Sequence, residues 1–246
     1  MRTAAPPTRT NDSHAVVIIP AFNEEASIGR IVESVIAACG LPVWVIDDAS
    51  TDGTRSAALR AGAKVIPLFE NLGAWTATQT GLIAASRSNV DVVVTMDADG
   101  QHEPRYIADL VRPVLKNEVD VAIGSYTERG SLLRQWAWKM MRTTSGLTWR
   151  DLTSGFRALN KEAYELLTSQ DATILEYQDV GVLLLLERAG MRINEVPVTM
   201  LHRSNGGSRI FRSWATVIRY MIHTLLLGIA KRERLIKRPR ANYERI

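Results

Sequence analysis

Ala15-Val16-Val17-Ile18-Ile19, followed at helical spacing by Ile28, Ile31, Val32, Val35, Ile36 and Cys39 before Gly40, reads as a strand and then a helix. The pair recurs at residues 43–46 with 53–60, at 64–69 with 73–86, and at 91–96 with 104–116, and a fifth apolar run follows at 119–124. Runs so uniformly apolar suit strands covered on both faces. Regular alternation of strand and helix implies a mainly parallel sheet with right-handed crossovers, an α/β sandwich with helices on both sides. Beyond Ser125 the rhythm breaks. A segment rich in Trp, Arg and Met (135–142) precedes an irregular stretch (148–159), a helix near 161–167 and another over 179–189. A strand-like run at 192–200 then leads to the turn Asn205-Gly206-Gly207-Ser208, and helical spacing returns over 213–231.

The 246 residues fit one generous domain with a small appendage, and 46% apolar with 23% charged residues excludes both wholesale disorder and a polytopic membrane protein. The net charge of +4 is local. Residues 231–246 carry seven basic side chains against Glu233 and Glu244, a net +5, which leaves the remainder at −1. That distribution argues against a general nucleic-acid surface and for an anionic partner near the C-terminus. Cys39 has no internal partner, and no Cys/His cluster has zinc-ligand spacing, so a reducing compartment is expected. Residues 1–14 read as a flexible arm without the apolar run of a signal peptide, and residues 15–212 as the main domain. The stretch 214–230 is interrupted by Arg219 and His223 and falls short of the ~20 uninterrupted apolar residues of a membrane-spanning helix. With Trp214, Tyr220 and the basic tail, residues 213–246 read as an amphipathic helix lying at a membrane surface, the other reading being a core helix with a solvated tail.

In open α/β sheets, ligands bind beyond the carboxyl ends of the strands. Three such ends are polar: Pro20-Ala21-Phe22-Asn23-Glu24-Glu25, Asp47-Asp48-Ala49-Ser50-Thr51-Asp52-Gly53-Thr54, and Asp97-Ala98-Asp99-Gly100-Gln101-His102. Carboxylates converging from three strand ends repel one another, and a bound cation is the simplest compensation. Asp97, Asp99 and Gln101 alternate, so an extended chain presents all three to one side. Two carboxylates and an amide, with no thiolate, suit Mg2+ or Mn2+ holding a substrate's phosphates. The other reading is an acidic turn capping the helix that begins near Pro104.

These three blocks resemble the family 2 glycosyltransferases of GT-A (Rossmann-like) fold. Asp151-Leu152-Thr153-Ser154-Gly155-Phe156-Arg157-Ala158, Glu195-Val196-Pro197-Val198 and Arg203-Ser204-Asn205-Gly206-Gly207-Ser208-Arg209 are similar to segments of the dolichyl-phosphate and polyprenyl-phosphate sugar synthases. The resemblance spans residues 15–209. It implies that Pro20, Ala21, Asn23 and Glu24 line a nucleotide pocket, that Asp47 or Asp48 accepts hydrogen bonds from the base or ribose, and that Asp97, Asp99 and Gln101 hold the metal on the diphosphate. Arg203 and Arg209, flanking a glycine-rich turn, are suited to clamp phosphate oxygens. Two cations usual in the family are missing: Ala74 follows Asn71-Leu72-Gly73 where Lys is common, and Tyr126 follows Ser125 where Arg is common, a role open to Arg129 or Arg134. Asp179-Val180-Gly181 also lacks the second acidic residue of the family's Asp-Val-Glu pattern. A phosphate acceptor arrives ionised and tolerates that loss, whereas a hydroxyl acceptor needs a base, for which Asp179 or Glu176 is available. The segment Arg134-Gln135-Trp136-Ala137-Trp138-Lys139-Met140-Met141-Arg142 mixes apolar and basic residues as a lipid-phosphate groove requires, or packs as a helix with snorkelling cations.

The expectation is therefore an inverting, metal-dependent hexosyltransferase that moves a sugar from a nucleotide-sugar donor to a polyprenyl phosphate. It would act at the cytoplasmic face of the cell membrane, in the making of envelope glycans. Transfer to a hydroxyl of a lipid-linked glycan or other saccharide is the near alternative. A Mg2+-binding phospho-receiver regulator, which also pairs Asp residues at strand ends, leaves residues 151–209 without a role. A sugar-nucleotide pyrophosphorylase requires a Gly-rich, Arg-containing loop after the first strand, and residues 20–25 contain neither.

Overall fold

β1 (Ala15–Ala21) is buried along almost its whole length because its two faces meet different helical layers. The computed structural model describes residues 15–126, 149, 151, 154–173 and 180–201. Val16 and Ile18 belong to one core and Val17 and Ile19 to the other. Successive side chains leave a strand on opposite faces, so a run without polar alternation must be covered twice. Each of these fully buried side chains contributes roughly 1.5–3 kcal/mol.

The layer on the Val17 side is made by α1 (Glu25–Cys39), α2 (Thr54–Arg60) and α4 (Ile107–Leu115), and a 3₁₀ turn at Pro104–Tyr106 leads into α4. Ile28, Ile31, Val32 and Val35 form the buried stripe of α1, which stops where Gly40 turns left-handed and donates its N–H to the Ile36 carbonyl. The opposite layer holds α3 (Ala74–Arg87), α5 (Lys161–Leu167), α6 (Gln170–Thr173) and α7 (Val180–Arg188). Two buried polar side chains tie that layer together: Trp75 Nε1 donates to the Ala172 carbonyl and Gln79 Nε2 to the Leu167 carbonyl, both at 2.9 Å. At Gly81 of α3 a Cβ would lie 2.5 Å from Cγ2 of Ile18, so only glycine lets this helix approach β1 so closely.

The sheet adds β2 (Val43–Asp47), β3 (Lys64–Pro67), β4 (Val92–Thr95), β5 (Val121–Ser125), β6 (Arg157–Asn160) and β7 (Ile193–Pro197), in the order β3-β2-β1-β4-β6-β5-β7. Every pairing is parallel except those of β6, which runs antiparallel to β4 and β5. The expected mainly parallel α/β sandwich is the observed one, with differences in the second half of the chain. Residues 157–159 were expected to be irregular, yet they form most of β6, with Ala158 opposite both Val94 and Ala122. Four residues beginning with an arginine and ending with an asparagine carry no readable period; the strand exists because the gap between β4 and β5 satisfies its backbone. β7 is also shorter than the strand-like run at 192–200, since its pairing stops at Pro197, and Met200 instead bridges His102.

The amino end of the β5-β6-β7 half is held by Asp120. Its carboxylate accepts Arg192 N–H at 2.7 Å, Arg192 Nε at 3.1 Å, Arg192 Nη2 at 2.8 Å and Asn160 Nδ2 at 3.0 Å. The guanidinium hydrogen bonds of Arg192 hold the Asp120 carboxyl below the usual carboxylate range, against the opposing effect of burial. A carboxyl with a lowered folded-state pKa stabilises the protein above its unfolded value, ~3.9, and loses that contribution as pH falls through the folded value. Asp120→Ala is expected to cost about 2 kcal/mol at pH 7, with unmet donors left at three strand ends, and a smaller amount at pH 2–3. Urea unfolding at the two pH values checks this; an equal cost at both removes the carboxylate from the explanation.

Candidate active site

Strand order locates the site. From β1 the chain passes to β2 and β3 on one side and then returns to β4 on the other, so β1 and β4 flank a topological switch point. At such a point the loops leaving neighbouring strands diverge and open a crevice at their carboxyl ends. Pro20 and Ala21 end β1, Asp47 ends β2, and Asp97 follows β4 by two residues. The three polar blocks picked out in the sequence therefore border one crevice, with the β1 block in the middle.

The β1 and β2 ends are laced to each other. Asn23 N–H donates to Ser50 Oγ at 3.0 Å, and Thr51 N–H donates to Asn23 Oδ1 at 2.9 Å. Glu24 N–H donates to Thr54 Oγ1 at 2.8 Å, while Gly53 N–H donates to Glu25 Oε2 at 3.0 Å. Glu24 Oε2 accepts the Ser27 hydroxyl, which also reaches the Ala98 carbonyl between the two aspartates after β4. Asn23 (φ 54°) and Ala49 (φ 59°) both hold left-handed backbone here. For Ala49 that conformation is strained, and its place at a strand end bordering the crevice is where such strain is commonly kept.

Asp47 and Asp48 differ in what they do. Asp48 is buried, and its two carboxylate oxygens accept Leu72 N–H at 2.8 Å and Gly73 N–H at 2.9 Å, which fixes the loop entering α3. Asp47 Oδ1 accepts Ser50 N–H at 3.0 Å, and among the described residues its Oδ2 has no hydrogen-bond donor. Asp48→Ala is thus expected to lower stability by about 1–3 kcal/mol through the two orphaned N–H groups. Asp47→Asn is expected to leave the melting temperature nearly unchanged and to weaken nucleotide binding. A thermal melt beside a nucleoside-diphosphate titration separates the two; parental nucleotide affinity in Asp47→Asn would remove Asp47 from the pocket.

After β4, Asp97 and Asp99 are both partly exposed. Asp99 Oδ1 accepts Gln101 N–H at 3.0 Å, closing a tight turn around Gly100 (φ 74°). Asp97 lies against Gly155, where a Cβ would come within 2.8 Å of Oδ1 and 3.0 Å of Oδ2. The Gly155 backbone is held in place, because its carbonyl accepts the Thr95 hydroxyl at 2.7 Å. Gln101 Nε2 donates to the Leu201 carbonyl at 3.3 Å and Leu201 N–H to the Gln101 carbonyl at 2.9 Å, so the amide is tied to the segment after β7. Among the described residues no three His, Cys, Asp or Glu side chains gather in a metal-holding group. Two part-exposed carboxylates on one short turn fit a Mg2+-like ion that takes its remaining ligands from phosphate and water. Sequence reasoning passed over Gly155 and His102 as site residues: a glycine whose importance lies in a missing Cβ, and a buried imidazole, carry no signal until β6 is seen to pack beside β4.

Asp179, Glu176, Arg129, Arg134, Lys139, Arg203 and Arg209 lie outside the described residues, as do the arm at 1–14 and the helix and basic tail at 213–246. Among the described residues no helix is long and apolar enough to cross a membrane.

Residues 16–172 match the family described as Glycosyl transferase family 2. The chain is 30% identical over 224 residues to a polyprenol monophosphomannose synthase of Mycolicibacterium smegmatis, covering 83% of this chain and 84% of that one. It is also 30% identical over 240 residues to an undecaprenyl-phosphate mannosyltransferase of Micrococcus luteus, covering 88% and 95%. Among solved structures, glucosyl-3-phosphoglycerate synthase from Mycobacterium tuberculosis, in complex with Mn2+, UDP and glucosyl-3-phosphoglycerate, aligns with a TM-score of 0.67 at 25% identity over 93% of this chain and 87% of that one. A mainly parallel sheet with acidic strand ends at its switch point, together with these matches, places the chain in glycosyl transferase family 2, with the GT-A fold and glycosyltransferase activity.

Proposed function

We propose that the protein transfers a sugar from a nucleotide-sugar donor to a polyprenyl phosphate, with inversion at the anomeric carbon, at the cytoplasmic face of a membrane. The observation that carries this reading is the pairing of Asp47 and Asp97 on either side of the β1 end, in a chain whose relatives are named for polyprenol and undecaprenyl-phosphate mannosyl transfer. Asp47 Oδ2 accepts a hydrogen bond from the base or ribose, and Pro20, Ala21, Asn23 and Glu24 wall the pocket. Asp97 and Asp99, with Gln101 beside them, hold a divalent cation, Mg2+ or Mn2+, on the donor's diphosphate. When bound, that ion neutralises charge on the departing nucleoside diphosphate. An ionised phosphate oxygen of the acceptor forms the new bond to the anomeric carbon as the bond to the donor's diphosphate oxygen breaks. The acceptor brings no proton to remove, so no general base is required. Arg203 and Arg209 are proposed for phosphate contacts, Asp179 for the base that a hydroxyl acceptor would need, and residues 213–246 for membrane attachment.

The test is a transfer assay with Mn2+ or Mg2+, each common sugar nucleotide as donor, and polyprenyl phosphate against an unphosphorylated lipid-linked saccharide as acceptor. Product with the phosphate acceptor, retained in Asp179→Asn, supports the reading. Product only with the hydroxyl acceptor, lost in Asp179→Asn, replaces it with the saccharide alternative.

A further inference from the structure

His102 is buried beside the crevice, its side chain 1% exposed, and it makes two contacts with Asp97 and one with Phe156. Its Nδ1 accepts the backbone N–H of Asp97 at 3.2 Å. Its Nε2 lies 3.8 Å from Asp97 Oδ2. Its ring stacks on Phe156, with centroids 5.0 Å apart and planes 15° from parallel. An imidazole nitrogen that accepts a hydrogen bond carries no proton, so the proton of the neutral ring sits on Nε2, the nitrogen facing the carboxylate. The ring cannot tilt away, because Phe156 is fully buried and is the residue after Gly155, whose backbone bounds the same carboxylate from another direction. Backbone bridging of His102 to Met200 fixes the far side of the turn.

We propose that His102 is a positioning residue that fixes both the backbone and the carboxylate of Asp97 for metal binding, with Phe156 as the plate that holds the imidazole. This rests on the reading of Asp97 as a metal ligand. Nδ1 holds the start of the turn after β4 by a hydrogen bond, and the Nε2 N–H dipole, 3.8 Å from Oδ2 and too far for a hydrogen bond, favours one orientation of the carboxylate through space. Partners that orient a metal ligand in this way change metal affinity by ~10–100-fold when removed.

The experiment titrates Mn2+ by electron paramagnetic resonance of the free ion, in the presence of UDP and in parallel of GDP, with nucleotide affinity without metal and the melting temperature measured alongside. His102→Phe keeps the stack and removes both edges; its Mn2+ dissociation constant is expected to rise ~10-fold or more while metal-free nucleotide affinity stays at the parental value. His102→Gln retains an amide N–H that can reach Oδ2, whereas His102→Asn keeps an acceptor for the Asp97 N–H and falls short of the carboxylate. Gln is expected to bind Mn2+ more tightly than Asn, and this comparison decides the matter should the Phe variant fail to fold. Parental Mn2+ affinity in His102→Phe, or equal affinity in Gln and Asn, overturns the proposal. Absence of Mn2+ binding by the parent protein with either nucleotide, or unchanged binding in Asp97→Asn, overturns the metal reading itself and this proposal with it.

Discussion

Asp99→Asn is expected to lower the rate of sugar transfer about 10²–10³-fold, the scale on which removal of one preorganised electrostatic group acts on a developing anion. The substitution preserves size and the turn: the amide oxygen of asparagine can still accept Gln101 N–H, which Asp99 Oδ1 holds at 3.0 Å, and Gly100 keeps its left-handed backbone. What disappears is one negative charge beside the diphosphate. Because Asp99 is partly exposed and the turn-closing hydrogen bond is kept, the melting temperature is expected to stay within about 2 °C of the parent, consistent with surface changes of ±0.5 kcal/mol. The loss therefore falls on turnover and on the Mn2+ concentration required, not on folding. Steady-state kinetics across a Mn2+ series, with a melt as control, give the answer; parental turnover in Asp99→Asn would refute leaving-group catalysis at this turn.

Gly155→Ala, the addition of a single methyl group, is expected to reduce activity about 10–100-fold, since ångström-scale displacement of a reacting or ligating group costs up to ~10². The new Cβ would lie 2.8 Å from Asp97 Oδ1 and 3.0 Å from Oδ2, inside van der Waals contact. Two things can move to relieve it. The Gly155 backbone is fixed by the Thr95 hydroxyl at 2.7 Å and by the burial of Phe156 next to it, whereas the Asp97 side chain is 37% exposed. The carboxylate is the softer of the two and gives way, leaving the position from which it ligates. Residue 155 does not have a left-handed φ, so alanine suffers no backbone strain there, and a loss of activity is attributable to the displaced carboxylate. Kinetics in Gly155→Ala and Gly155→Ser check the size ordering; a variant that is as active as the parent would show that Asp97 has room the geometry denies it.

The repeated strand-helix rhythm was legible because every central strand is covered on both faces, which makes residues 15–19, 43–46 and 92–94 apolar throughout and the intervening helices amphipathic. Polar blocks after three of those strands were legible for the same reason: in a buried strand, charge can begin only where the chain emerges. Asp47 and Asp48 could not be told apart in the sequence, since both follow the same strand. Only the fold shows that the loop after β3 returns to engage both oxygens of Asp48 with Leu72 and Gly73 N–H groups.

By itself, then, the sequence determined which elements exist in the first half of the chain, that the sheet is mainly parallel, and which strand ends bear carboxylates, since burial and periodicity are local properties of a segment. Tertiary structure alone decided the order β3-β2-β1-β4-β6-β5-β7, the insertion of antiparallel β6, and the closure of Gly155, Phe156 and His102 around Asp97. Those depend on contacts between residues far apart in the sequence, such as Thr95 with Gly155, 60 positions apart. Such pairings are selected by how well whole layers pack, and a single segment carries no record of the neighbour that will satisfy its backbone.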